Sequence, residues 1–257
     1  MKVVILAGGF GTRISEESHL KPKPMIEIGG YPILWHIMKY YTSFGFNEFV
    51  ICAGYKQQVI KEYFANYYLH HADITFDFSS GGEVIVHDET SEPWKVTVVD
   101  TGLNTMTGGR IKRIQPYVDN EAFMLTYGDG VSNVNLDALL AAHRSHGTIA
   151  TITAVGVTQR FGVLDIDKNG LISSFREKKD TDGALINGGY MVLDPGVFDY
   201  IEGDQTVFEQ GPLESLAAEN QLSAYVHDGF WQCMDTQRDK MNLEALWQNR
   251  KAPWRVW

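Results

Sequence analysis

Residues 1–25 leave this chain few folds to choose from. An apolar run, Val3-Val4-Ile5-Leu6, empties into Ala7-Gly8-Gly9-Phe10-Gly11-Thr12-Arg13 and then into Lys21-Pro22-Lys23-Pro24-Met25. Four consecutive apolar residues, three of them β-branched, suit a central strand covered on both faces, as in a parallel sheet. Lacking Cβ, Gly8, Gly9 and Gly11 are expected to take positive φ and to turn backbone N–H groups toward phosphate oxygens. Arg13 adds a rigid fork, and Lys21 and Lys23 are expected near the loop on a segment stiffened by Pro22 and Pro24.

A glycine cluster after a strand is also an ordinary turn, so sharper motifs were weighed. A dinucleotide-binding G-x-G-x-x-G beginning at Gly9 and Gly11 would put Ile14 where close helix packing wants Gly or Ala. Hydride transfer loses ground on that residue. Gly-Lys-Ser/Thr in Walker A spacing does not occur, which excludes an ordinary P-loop kinase. What remains fits a nucleoside triphosphate met by side chains as well as amides.

The formal charge of −10 and a pI near 5.2 argue against polynucleotide or an anionic membrane as partner. Local basic clusters, Arg110-Lys112-Arg113 and Arg176-Lys178-Lys179, would serve a small phosphate ligand, although such clusters are more often solvated faces. Two cysteines without a CxxC pair, Cys52 and Cys233, argue against disulfides and structural zinc. No apolar run approaches a membrane span, and Met1 leads almost directly into the first strand, so a cytoplasmic protein is expected.

Strand and helix patterns then alternate: a helix over 33–43, a strand over 48–53 and a helix over 57–66, the order of a parallel sheet with right-handed crossovers. Residues 74–78 and 83–87 read as a peripheral hairpin, and 96–99 as a return to the main sheet. Thr107-Gly108-Gly109-Arg110 opens a helix through Tyr117; its first-turn amides face an anion, or the glycines permit a tight entry. Strand 122–127 ends in Gly128-Asp129-Gly130, where a carboxylate is placed to hold Mg²⁺ on substrate phosphates. His143 and His146, on a helix over 136–146, read as surface residues. Residues 161–166 and 171–175 form a hairpin about Asn169-Gly170. Strand 184–193, interrupted by Asn187-Gly188-Gly189, and helices over 212–219 and 236–247 complete a single domain spanning 1–257. Trp254 and Trp257 cap the core or sit in a subunit interface.

Residues 6–13 with Lys21-Pro22-Lys23-Pro24-Met25 resemble the signature of the sugar-1-phosphate nucleotidylyltransferases, a family with a Rossmann-like, mixed, mostly parallel sheet flanked by helices. The likeness is closest to members using CTP and glucose 1-phosphate. It rests on GGYPILWHIM (29–38), VIKEYFANY (59–67), VDTG and MTGGRIKR (within 99–113), TYGDGV (126–131), INGG (186–189), GFWQ (229–232) with Met234-Asp235-Thr236, and KAPW (251–254), and so runs end to end. The resemblance implies that Leu6, Ala7, Gly8, Gly9, Phe10, Gly11, Thr12, Arg13 and Lys23 grip the nucleotide, with Thr105, Arg110 and Gly128 around it. Asp129 and Asp235 would hold Mg²⁺, and Glu177, Lys178 and Asn187 would bind the sugar phosphate. Arg13 and Lys23 would be catalytic. The family's Glu-Lys-Pro is here Glu177-Lys178-Lys179, which removes a rigid stop after that pair. Transfer of CMP to glucose 1-phosphate toward CDP-linked dideoxyhexoses of O-antigen, and a homohexamer, follow from the same likeness. The alternatives are a thymidylyl- or uridylyltransferase, or a non-catalytic nucleotide-sugar-binding protein.

Overall fold

The computed structural model of the chain describes residues 1–87, 92–156, 163–166, 172–176 and 185–257. In chain order, β1 (Val3–Ala7) leads into a short α1 (Ser15–Ser18), and a small hairpin, β2 (Glu27–Ile28) and β3 (Tyr31–Pro32), precedes α2 (Ile33–Thr42). Then come β4 (Glu48–Ala53), α3 (Gln57–Ala65), α4 (Tyr67–His71), the hairpin β5 (Asp73–Asp77) and β6 (Glu83–His87), and β7 (Lys95–Asp100). The middle of the chain holds α5 (Thr107–Arg113), β8 (Phe123–Tyr127), β9 (Gly130–Ser132), α6 (Leu136–His146), β10 (Ala150–Gly156), β11 (Val163–Ile166) and β12 (Ile172–Arg176). It closes with β13 (Leu185–Leu193), α7 (Gly211–Ala218), β14 (Leu222–His227), β15 (Trp231–Cys233) and α8 (Gln237–Gln248).

Seven strands form the main sheet in the order β14-β10-β13-β8-β1-β4-β7. β1 pairs parallel with both β4 and β8, and β13 alone runs antiparallel to its neighbours. This is the expected mixed, mostly parallel sheet, and β5–β6 is the expected peripheral hairpin. Along β1, Val3, Ile5 and Ala7 enter the core with α2 and α6, whereas Val4 and Leu6 enter the core on the opposite face. Burial on both faces is why this strand reads as an unbroken apolar run. Among the described residues no helix is long and apolar enough to cross a membrane.

The sheet order places the cleft. From β1 the chain moves outward through β4 to β7, then returns to the far side of β1 as β8. The carboxyl ends of β1 and β8 therefore flank a reversal in strand order, where open α/β sheets bind ligands. Both the glycine loop and Gly128-Asp129 leave the sheet at that point.

Several local expectations change. The helix read through Tyr117 stops at Arg113 and is followed by a separate 3₁₀ turn, Gln115–Tyr117, because Pro116 cannot donate an α-helical bond. His143 is buried rather than superficial, its Nδ1 2.9 Å from Thr151 Oγ1 and its Nε2 3.5 Å from Asp194. Trp254 lies in the core, its indole N–H donating to His36 Nδ1 at 3.3 Å while His36 Nε2 meets the Ile28 carbonyl at 2.8 Å. The turn at Asn169-Gly170 lies outside the described residues, although β11 and β12 on either side of it are antiparallel.

Candidate active site

Only one of the three loop glycines expected at positive φ adopts it: Gly11, at +66°. Gly8 is required for another reason. A Cβ there would run into the guanidinium of Arg110, and one on Gly54 would meet the same side chain. The two glycines thus form a slot through which Arg110 passes. Arg110 donates from Nη1 to Thr101 Oγ1 (2.8 Å) and the Gly102 carbonyl (2.7 Å), and from Nη2 to the Leu103 carbonyl (3.2 Å). Burial lowers its pKa, while the Thr101 hydroxyl and the Gly102 and Leu103 carbonyls hold its two Nη groups. Arg110 therefore borders the cleft while holding segment 101–103 in place. The glycines of α5 permit a tight entry, since Gly109 N–H is taken up by the Thr206 carbonyl at 3.3 Å and the Met106 amide by that of Asp204 at 2.8 Å.

A cleft of about 560 Å³ opens over the ends of β1 and β8, lined by residues 6–13, Lys23, Thr105, Arg110, Gly128 and Asp129. All the sequence-identified nucleotide positions border this one space. Leu103, Asn104, Met106, Thr107, Pro24 and Tyr127 complete it, and none of these stood out as a ligand contact in the sequence. Leu103, Met106 and Phe10 are exposed apolar side chains at its edge, a signal visible only once the backbone is folded. A second pocket of about 290 Å³ adjoins it, sharing Arg13, Tyr127 and Asp129 and adding Asn187, Trp231, Cys233 and Asp235. Asn187 is held there by its own turn, Oδ1 accepting from Gly189 N–H at 2.9 Å. Glu177 and Lys178 lie outside the described residues.

The two expected metal carboxylates come from distant parts of the chain and meet through a small sheet. β9 pairs antiparallel with β15, Gly130 opposite Cys233, and Met234 N–H donates to the Asp129 carbonyl at 2.8 Å. Immediately after Asp235, Thr236 and Asp239 form a capping box that starts α8, which fixes the backbone exit of Asp235. Lys23 arrives on the opposite wall, on a 3₁₀ turn (Lys23–Met25) set by Pro22 and Pro24. Gly128 has no side chain because Pro24 and the Leu6 carbonyl press against it.

Lys23 Nζ lies 2.6 Å from Asp129 Oδ2 and 2.6 Å from Asp235 Oδ1, and Arg13 Nη1 lies 2.6 Å from Asp235 Oδ2. Burial works against the Lys23 ammonium, but Asp129 and Asp235 outweigh it and hold its pKa above the ordinary lysine value. The Cys233 thiol, 3.5 Å from Asp235, is pushed up to about 12 by burial and then by the Asp235 and Asp129 carboxylates. It is no nucleophile at neutral pH. Lys21 does not join this cluster. It pairs with Glu27 at 2.6 Å beside a different pocket, because side chains two residues apart on this bent segment diverge. The carboxylates already converge on a cation, the Lys23 ammonium, and are all-oxygen donors, as Mg²⁺ prefers. Among the described residues no group of three or more His, Cys, Asp and Glu is placed to hold a metal ion by itself.

Comparison with known proteins identifies the family and the fold. The model of the nucleotidyl transferase family matches residues 2–236. The chain is 56% identical over 258 aligned residues to the glucose-1-phosphate cytidylyltransferase of Salmonella typhimurium, with 100% of each chain covered. It is 45% identical, again with 100% of each covered, to the probable glucose-1-phosphate cytidylyltransferase of Bacillus subtilis. In fold it is similar to HddC from Yersinia pseudotuberculosis complexed with GMP-PN, with a TM-score of 0.66, 24% identity, and 96% of this chain and 99% of that one covered. The chain therefore belongs to the nucleotidyl transferase family, on the branch of the glucose-1-phosphate cytidylyltransferases.

Proposed function

We propose that the chain transfers CMP from CTP to glucose 1-phosphate, giving CDP-glucose and pyrophosphate. The observation that carries this reading is identity of 56% along the whole chain with an enzyme of that name. The cleft suits it, since a nucleotide in the larger space would put its phosphates beside Arg13 and Lys23, with the smaller pocket left for a sugar phosphate.

A phosphate oxygen of glucose 1-phosphate attacks the α-phosphorus of CTP in line, and pyrophosphate leaves. The attacking phosphate is already an anion at neutral pH, so the site needs no general base. It must bring two mutually repelling anions together and stabilise charge on the phosphorus. Lys23 and Arg13 screen and orient the phosphates, the loop from Gly8 to Thr12 brings backbone amides close, and Asn187 orients the sugar phosphate. Asp129 and Asp235 are the residues that would hold Mg²⁺, which when bound would supply positive charge to offset that developing on the phosphates. Glu177 and Lys178 complete the sugar-phosphate side in this reading. A cytoplasmic homohexamer supplying CDP-linked dideoxyhexoses for O-antigen is the setting the family likeness supports.

The test is pyrophosphate release from the purified chain with Mg²⁺ and glucose 1-phosphate, run separately with CTP, UTP, dTTP, GTP and ATP. Release dominated by CTP is expected. Release dominated by another nucleotide would keep the chemistry and overturn the base, and no release with any would favour a non-catalytic nucleotide-sugar-binding protein.

A further inference from the structure

The two carboxylates of the cleft are matched by two cations. Lys23 bridges Asp129 and Asp235 at 2.6 Å each, and Arg13 takes the remaining oxygen of Asp235 at 2.6 Å. The two cations differ in setting. The Lys23 side chain is 10% exposed, whereas that of Arg13 is 73% exposed. The Lys23 backbone is fixed, its carbonyl accepting from Ile26 N–H at 3.1 Å in a turn bounded by Pro22 and Pro24.

We propose that Lys23 is a built-in counter-cation that excludes a divalent ion from Asp129 and Asp235 until a polyphosphate enters the cleft and offers the ammonium another anion. The inference rests on the reading of Asp129 and Asp235 as metal-holding residues. A divalent ion arriving alone must break two short charge-assisted bonds and then sit against a displaced ammonium with no new partner. A triphosphate beneath residues 8–13 changes that balance. Lys23 and Arg13 turn to its oxygens, and the carboxylates are released to the ion that accompanies the phosphates. Nucleotide and metal are then positively coupled through one side chain, and the coupling is reciprocal.

The experiment is a titration of the purified chain with Mn²⁺, first alone and then with CTP, read by electron paramagnetic resonance, on wild type, Lys23→Met, Arg13→Gln and the double variant Lys23→Met/Asp129→Asn. Lys23→Met is expected to bind Mn²⁺ at least about tenfold more tightly than wild type, and the double variant to lose that gain. Arg13→Gln removes a largely exposed side chain, does not threaten folding, and is expected to gain roughly threefold. Wild type binding Mn²⁺ alone as tightly as Lys23→Met, through Asp129, would overturn the gating role and leave the metal site standing. If no protein in the series binds Mn²⁺ through Asp129 even with CTP present, the metal assignment falls and the inference falls with it.

Discussion

Arg110 and Lys23 border the same cleft and carry the same charge, yet they belong to two different regions of it. At the floor, Arg110 is buried and its fork is taken up by a hydroxyl and carbonyls of segment 101–103. At the mouth, Lys23 meets carboxylates that are themselves free to bind something else. A cation held mainly by backbone acceptors holds structure, because leaving its slot strands buried polar groups. A cation paired with carboxylates can exchange partners when another anion arrives, because charge is matched by charge. Proximity to a cleft therefore does not define a role; the identity of the partner does.

Lys23→Ala gives the largest expected effect. Turnover should fall by roughly a thousandfold while the melting temperature changes little, measured by pyrophosphate release alongside thermal unfolding. Near-normal turnover would erase the distinction between mouth and floor. Arg110→Met should act the other way, costing about 3 kcal/mol of stability through the stranded carbonyls of segment 101–103. Gly8→Ala should lower stability too, by closing the slot, and should also weaken CTP because Gly8 belongs to the loop that meets its phosphates. If Arg110→Met instead unfolded at the wild-type midpoint and lost CTP affinity, the floor would be a binding surface like the mouth.

Acid acts at a third place, outside the cleft. His36 is buried, its pKa lowered to about 4 chiefly by burial, with both ring nitrogens engaged as a neutral tautomer. A second ring proton would face the Trp254 N–H. Because the folded value lies below the ordinary 6.5, the unfolded chain binds more protons between the two. Stability from this group is complete above pH 6.5 and is lost as pH falls toward 4, by roughly 3 kcal/mol. Denaturant unfolding at pH 7 and pH 4.5 on wild type and His36→Gln measures it, and an equal pH response in both would reject it. Arg13→Gln, the mildest change, should lower turnover about tenfold without moving the midpoint, since an exposed ion pair adds little to stability.

Much of the sheet was legible in the chain because its strands announce themselves. β1 and β4 are apolar on both faces, and the hairpin at 73–87 alternates visibly. Hence a parallel sheet and the peripheral hairpin could be read from the residues, while the mixed character of the sheet came only with the family likeness. Each loop residue named from sequence lines the cleft, whereas Leu103, Asn104, Met106 and Tyr127 joined it only through the fold. Helix ends and helix faces were less legible. The α5 helix stops short, and His143 turns inward, because the spacing of two histidines does not tell which face the sheet will cover.

What the chain alone determined was chemistry and local geometry: a strand buried on both sides, a glycine-rich exit, a proline-stiffened lysine and two carboxylates next to turn or cap residues. What only the tertiary structure decided was which charge meets which. Asp129 and Asp235 are separated by more than a hundred residues and become neighbours through the pairing of β9 with β15, and Lys23 reaches both from the opposite wall. Lys21, two residues away and equally basic, goes to Glu27 instead. The reason is physical: ionic contacts act over a few ångströms, and only long-range packing sets distances on that scale.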